Sequence, residues 1–261
     1  MPKEHPPAQI IFVPVRRVVS LSTTHLAYMD AADLTERLVG LSGFKHVNTP
    51  SVRRRNDAGA LKEVGQFTNL NVETLMDLAP DLILASASGS VYDVHPKLLE
   101  AGLPVALMID HLEAHSLGRA EWIKFLGLFF DTVSHAEALF KEIADHYTHL
   151  TEKAAHESPQ PTVITGAPFQ GQWWVPGMES FVARFIADAG GKPVWPQIPG
   201  TGSRSMDLEA VYEKTLAADV WLNTGRWRSI AKVQAADPRF VTVPALQRGR
   251  ICKGLLRPLW S

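Results

Sequence analysis

Asn71-Val72-Glu73-Thr74-Leu75-Met76, followed by Pro80-Asp81 and the apolar run Leu82-Ile83-Leu84-Ala85, has a counterpart about half the chain later. There Asp207-Leu208-Glu209-Ala210-Val211-Tyr212 precedes Ala218-Asp219 and Val220-Trp221-Leu222. Each copy reads as a helix cap, a glutamate in the first turn, a short helix and a buried strand. The spacing differs: eight positions separate Glu73 from Asp81 and ten separate Glu209 from Asp219. The expectation is two lobes that are alike without being duplicates, each presenting a carboxylate at the same place.

Outward from the first copy, strands and helices alternate. Arg17–Ser22 reads as a strand ending in the polar turn Ser22-Thr23-Thr24-His25, and Leu38–Gly43 as a second strand. Val47–Glu63 is polar, contains Arg53-Arg54-Arg55, and reads as an exposed loop. A helix near Pro96–Ala101 leads to a strand at Val105–Ile109. This alternation predicts an α/β lobe with a mostly parallel sheet. In the middle, Leu117–Phe130 is apolar nearly all round, which predicts a helix buried between packed elements. Ser134-His135-Ala136-Glu137 reads as a capping box opening an amphipathic helix. Two consecutive helices without a strand between Ile109 and Thr162 mark the junction of two lobes. The second lobe then runs from the strand Thr162–Thr165 through a helix at Phe181–Ala189 to a late strand at Arg250–Cys252. The predicted fold class is therefore α/β: two Rossmann-like lobes with mostly parallel sheets, residues 17–114 and 157–261, joined by helices at 115–156 and preceded by a flexible segment, 1–16.

Composition narrows the function classes. Of 261 residues, 46% are hydrophobic and 20% charged, enough to fill a sizeable core. The net charge of −1 and the absence of a long basic run argue against nucleic acid. No apolar stretch approaches the roughly 20 residues of a membrane helix. A single cysteine, Cys252, excludes an internal disulfide and a cysteine metal cluster. The N-terminus shows no secretory signal, which taken literally means cytoplasm, although a removed leader leaves the same sequence.

Ligands of open parallel sheets bind beyond the carboxyl ends of the strands. Those ends supply Thr24, His25, Phe44, Ser88, Gln170, Gln172, Trp173, Trp174, Arg226 and Trp227 as candidate ligand-binding residues. Aromatic and amide side chains flanked by glycine, in Phe169–Gly177, suit a flat or greasy ligand with a few polar anchors. The alternative is that Trp173 and Trp174 only pack the lobe; on an extended stretch they face opposite ways, so one of them points out. His25 is either a ligand to a metal or to an acidic group, or a structural histidine. His111 and His115, four apart, read as a surface linker. There is no Gly-x-Ser-x-Gly elbow, no nucleotide-binding glycine motif and no His-Glu-x-x-His, so the chain reads as a binding protein and not an enzyme. Glu73 and Glu209 either stabilise their helix termini or meet one arginine each on a partner.

With those residues in view, the chain resembles the periplasmic substrate-binding proteins of ABC importers for ferric siderophores, haem and vitamin B12. The resemblance rests on Arg17–Ser22, Val64-Gly65 with Asn69–Glu73, Leu78–Ile83, Leu208–Val211 and the helix at Leu117–Phe130. It implies two α/β lobes joined by a rigid backbone helix, and ligand capture in the cleft between them. It further implies that Glu73 and Glu209 dock onto arginines of an inner-membrane ABC permease. No cofactor is implied, although the ligand brings iron or cobalt. The expected protein is a monomeric, periplasmic receptor for an iron chelate, with a cobalamin or haem receptor as the alternative. An enzyme or cofactor-handling protein on a similar scaffold is the rival from another class. Members of the family usually end in a further helix, whereas Gly254–Ser261 is short and interrupted by Pro258, so a shortened or altered C-terminal end is expected.

Overall fold

The computed structural model describes residues 9–66, 69–169, 171–195, 197–223, 227 and 229–252. Expectations for the first eight residues, for Gln170 and Arg226, and for the chain after Cys252 lie outside these. Two compact units emerge: the chain up to Leu112 together with Gly118–Ile143, and Glu113–Leu117 with the chain from Ala144 onward.

In the first unit, β1 (Val18–Ser20), β2 (Leu38–Leu41), β3 (Lys62–Glu63), β4 (Leu82–Ala85) and β5 (Val105–Leu107) form one sheet in the order β3-β2-β1-β4-β5. Every pairing in it is parallel. All of β1 and β4 is buried, because helices cover both faces. Alternate residues feed opposite layers. Val18, Leu82 and Leu84 pack with Leu26 and Met29 of α1 (His25–Ala31) and with Ile123 and Leu126 of α5 (Ser116–Phe130). Val19, Ile83 and Ala85 face Leu75 of α3 (Val72–Leu78) and Leu98 of α4 (His95–Glu100). Each such fully buried Val, Leu, Ile or Met side chain contributes about 1.5–3 kcal/mol.

The second unit repeats this plan. Here β6 (Thr162–Thr165), β8 (Lys192–Pro193), β10 (Val220–Leu222) and β11 (Ile251–Cys252) form a parallel sheet in the order β11-β10-β6-β8. A separate two-stranded antiparallel sheet accompanies it, β7 (Gln172–Pro176) with β9 (Ser203–Asp207). Helices α7 (Phe181–Asp188), α8 (Leu208–Thr215), α9 (Ile230–Ala236) and α10 (Pro244–Gln247) complete the unit. Its core is aromatic: the rings of Trp173 and Trp221 stack at 5.5 Å, and Phe240 meets both edge-on.

The repeated motif has the same local anatomy twice. Asn71 caps α3 by accepting from the Thr74 N–H at 2.9 Å, and Asp207 caps α8 by accepting from the Glu209 N–H at 2.8 Å. The aspartate before each strand is a clamp. Asp81 donates its N–H to the Arg17 carbonyl at 2.9 Å and accepts the Arg17 N–H on Oδ2 at 2.9 Å. Asp219 does the same with Thr162, at 2.8 and 3.0 Å. Gly65, just before the first copy, has φ +83°, and a Cβ there would lie 2.3 Å from the Asn69 carbonyl oxygen. Only glycine fits.

Several expectations are corrected. Val47–Glu63 is not a loop: it holds α2 (Pro50–Asp57) and β3. Pro50 suits the first turn and Arg54 and Arg55 the last, but Val52 alone is buried, so no apolar stripe marks the helix. The Leu117–Phe130 helix is not buried all round, since Leu128 is exposed and Trp122, Phe125 and Phe129 are half-buried. Ser134 is no cap, because α6 (Val133–Ala155) already begins at Val133. That 23-residue helix, about 35 Å long, is the one that carries substantial stretches of both units.

Candidate functional site

In both sheets the strand order reverses beside the central strand: between β1 and β4 in the first unit, and between β6 and β10 in the second. The crevice at the carboxyl ends of such a pair is the expected ligand position. In the first unit the rim is polar, with Thr24 exposed and its Oγ1 2.9 Å from the Ser22 Oγ. Beneath it His25 is fully buried, its Nδ1 3.0 Å from the Ser20 Oγ and its Nε2 3.2 Å from the Ser86 Oγ. Burial lowers its pKa to about 4, partly offset by a hydrogen bond with the Met108 backbone. His25 is thus a neutral tie between the ends of β1 and β4, which corrects its candidacy as a metal or ligand contact. Among the described residues no group of three or more His, Cys, Asp or Glu is placed to hold a metal.

Ser88 lies exposed beyond β4, and its N–H and hydroxyl both donate to the Asp93 carboxylate at 3.0–3.1 Å. Gly89 donates to the same group at 2.9 Å. This clamp presents Val91 and Tyr92, 93% and 69% exposed. Tyr92 is a candidate contact that the sequence reading missed; the Gly89-Ser90 turn with an acceptor at Asp93 was its only signal. Phe44, by contrast, is half-buried against the core. Farther along, Asp110 follows β5 at 6% exposure, and burial raises its pKa, with partial relief from Tyr28. The one Tyr28 hydroxyl proton is shared between two acceptors, the Arg119 carbonyl at 2.8 Å and the Asp110 Oδ2 at 3.2 Å. His111 and His115 share no helix: His111 is in a 3-10 turn and His115 lies 2.7 Å from an Arg184 nitrogen.

The second unit places its candidates by strand alternation. Along β7 exposure and burial alternate, so Trp173 is buried while its neighbour Trp174 is 54% exposed. Trp173 is corrected from ligand contact to core: its indole N–H donates to the Thr165 carbonyl at 2.9 Å, inside the aromatic cluster. Trp227 is half-buried in the same cluster, 6.1 Å from Trp221 and 5.8 Å from Phe240 between centroids. On the outward face, Gln172 accepts the Ser205 hydroxyl on Oε1 at 2.6 Å, two residues from Trp174. Phe169, half-exposed beyond β6, exchanges backbone hydrogen bonds with Gln172. This surface offers aromatic faces with amide and hydroxyl anchors.

The two glutamates of the repeat are both exposed. Among the described residues Glu73 has no hydrogen-bond or ion-pair partner. Glu209 differs: the Arg239 Nη1 lies 2.7 Å from both of its carboxylate oxygens. Arg239 also donates through Nε and Nη2 to Asp237, at 2.6–3.2 Å, and lies over the Tyr212 ring. The arginine's hydrogen bonds hold the Asp237 carboxyl below the usual range.

Two sheets of one plan, a long helix shared between the units and strand ends carrying aromatic and hydroxyl groups define a two-lobed α/β binding protein. The chain belongs to the family described as Periplasmic binding protein, which it matches over residues 18–254. Members are non-catalytic substrate-binding proteins of ABC importers. An uncharacterized lipoprotein of Methanocaldococcus jannaschii is 26% identical over 257 residues, covering 93% of this chain and 60% of that protein. A vitamin B12-binding protein of Yersinia pestis is 36% identical over 150 residues, covering 57% of this chain and 49% of the relative. The chain thus spans half to two-thirds of the length of these relatives. Among solved structures, a possible iron-binding, periplasmic solute-binding protein from Staphylococcus epidermidis superposes with a TM-score of 0.69 at 19% identity, covering 92% of this chain and 90% of that one.

Proposed function

We propose that this chain is the solute receptor of an ABC importer, located in the periplasm, that captures a ferric siderophore and delivers it to the permease. The observation that carries the ligand class is the outward face of β7, where the exposed Trp174 stands beside the Gln172–Ser205 hydrogen bond. Such a face stacks on the apolar periphery of a metal complex and hydrogen-bonds its polar edge, leaving the metal to its own organic ligand. Thr24, Ser88 and Tyr92 supply matching groups at the strand ends of the first unit. Glu73 and Glu209 are the docking carboxylates. A cobalamin receptor is the second reading, favoured by the 36% identity to a vitamin B12-binding protein over part of the chain.

Titration with ferric hydroxamate and catecholate siderophores, haem and cobalamin, followed by tryptophan fluorescence, separates these readings. A siderophore is expected to quench at the lowest concentration. A response to cobalamin alone supports the second reading, and no response to any of the four contradicts both.

A further inference from the structure

The repeat places its two glutamates at the same position of two similar helices, yet their surroundings differ in charge. Glu73 stands alone among the described residues, whereas Glu209 already holds a guanidinium. We propose that Arg239 is an in-cis occupant of Glu209, so that a partner's arginine meets a free carboxylate on the first unit and must exchange with Arg239 on the second. The proposal rests on the docking role of these glutamates for its function, though the occupancy itself does not.

Geometry supports exchange over simple addition. The Arg239 Nη1 spans both Glu209 oxygens at 2.7 Å, which fills the position from which a second guanidinium would bind in bidentate fashion. Only the outer lone pairs stay open, and these accept single hydrogen bonds. Separation of the pair is inexpensive, because the planar guanidinium stays on Asp237 through Nε and Nη2 and over Tyr212 while the exposed Glu209 side chain rotates away from Nη1. Glu209 is accessible to an incoming group, with its side chain 70% exposed. Asp237, at 16%, is sheltered and serves as the anchor. Glu73 then makes the first contact with the partner and carries the larger share of docking, while Glu209 engages once its side chain has rotated away from Arg239.

The test uses the intact protein with isotope-labelled glutamate carboxyl carbons and argininamide as the guanidinium probe. In the native chain, the Glu73 resonance is expected to respond about two- to fivefold more steeply than that of Glu209, the ratio an exposed competing ion pair produces. Arg239→Gln is expected to raise the Glu209 response to that of Glu73, and Arg239→Lys, which keeps the charge but not the fork, to fall between. Equal responses of both glutamates in the native chain would overturn the proposal, as would an unchanged Glu209 response in Arg239→Gln. Failure of the docking role would appear elsewhere, as import that survives reversal of both charges, and would leave the argininamide ratio untouched.

Discussion

Glu73→Arg combined with Glu209→Arg is expected to reduce import of the bound chelate to background while its affinity for the receptor stays unchanged. Both side chains are exposed, and Glu73 makes no ion pair with the described residues, so its reversal breaks no contact among them and costs only the favourable helix-terminus interaction, about 0.3–1 kcal/mol. At position 209 the new arginine lies beside Arg239, which keeps Asp237 as its partner. A permease that meets these sites with arginines would then face like charges where it had charge-assisted hydrogen bonds. Uptake of radiolabelled chelate by cells, alongside equilibrium binding to the purified variant, reads both quantities. Import retained, or chelate affinity lost, would show that the glutamates do something else.

Acidification is expected to lower the unfolding free energy by about 3 kcal/mol between pH 7 and pH 4 through His25 alone. The folded-state pKa of about 4 lies below the ordinary 6.5, so in this interval the unfolded chain binds a proton that the folded chain does not. Stability therefore rises with pH through the window and is lost as pH falls, at about 1.4 kcal/mol per unit. Asp110 acts in the opposite sense: its raised pKa favours the folded state at low pH, and that contribution is lost as pH rises through the folded value. Urea unfolding of the native chain and of His25→Gln at pH 7, 5.5 and 4 isolates the first effect. The variant loses packing at every pH but is expected to show the shallower slope. Equal slopes would mean that His25 is not held neutral.

The doubled motif was a sound guide to the fold because it marks positions where backbone chemistry leaves little choice. A capping Asn71 or Asp207 and an aspartate clamping the start of the central strand recur in both units, and short all-apolar strands follow from burial on both faces. What escaped the sequence reading had weak or divided signals. Helix α2 buries one side chain, and β7 pairs with a strand thirty residues away whose sequence, Ser203-Arg204-Ser205-Met206-Asp207, has little strand character. The candidate site was less legible. Alternation established that one of Trp173 and Trp174 turns outward but not which. Nothing in the sequence around His25 announced that Ser20 and Ser86 would enclose its ring. Tyr92 had only the short turn closed by Asp93 as a signal, and Arg239 depends on a contact made through the folded chain, with Glu209, rather than on local pattern.

Trp174 offers the most direct test of the binding surface. Calorimetric titration of the tightest-binding chelate against the native chain and Trp174→Ala is expected to show affinity weakened by about tenfold or more, as for an exposed aromatic anchor at the centre of an interface. An unchanged dissociation constant in Trp174→Ala would contradict the placement of the ligand against the outward face of the β7–β9 pair.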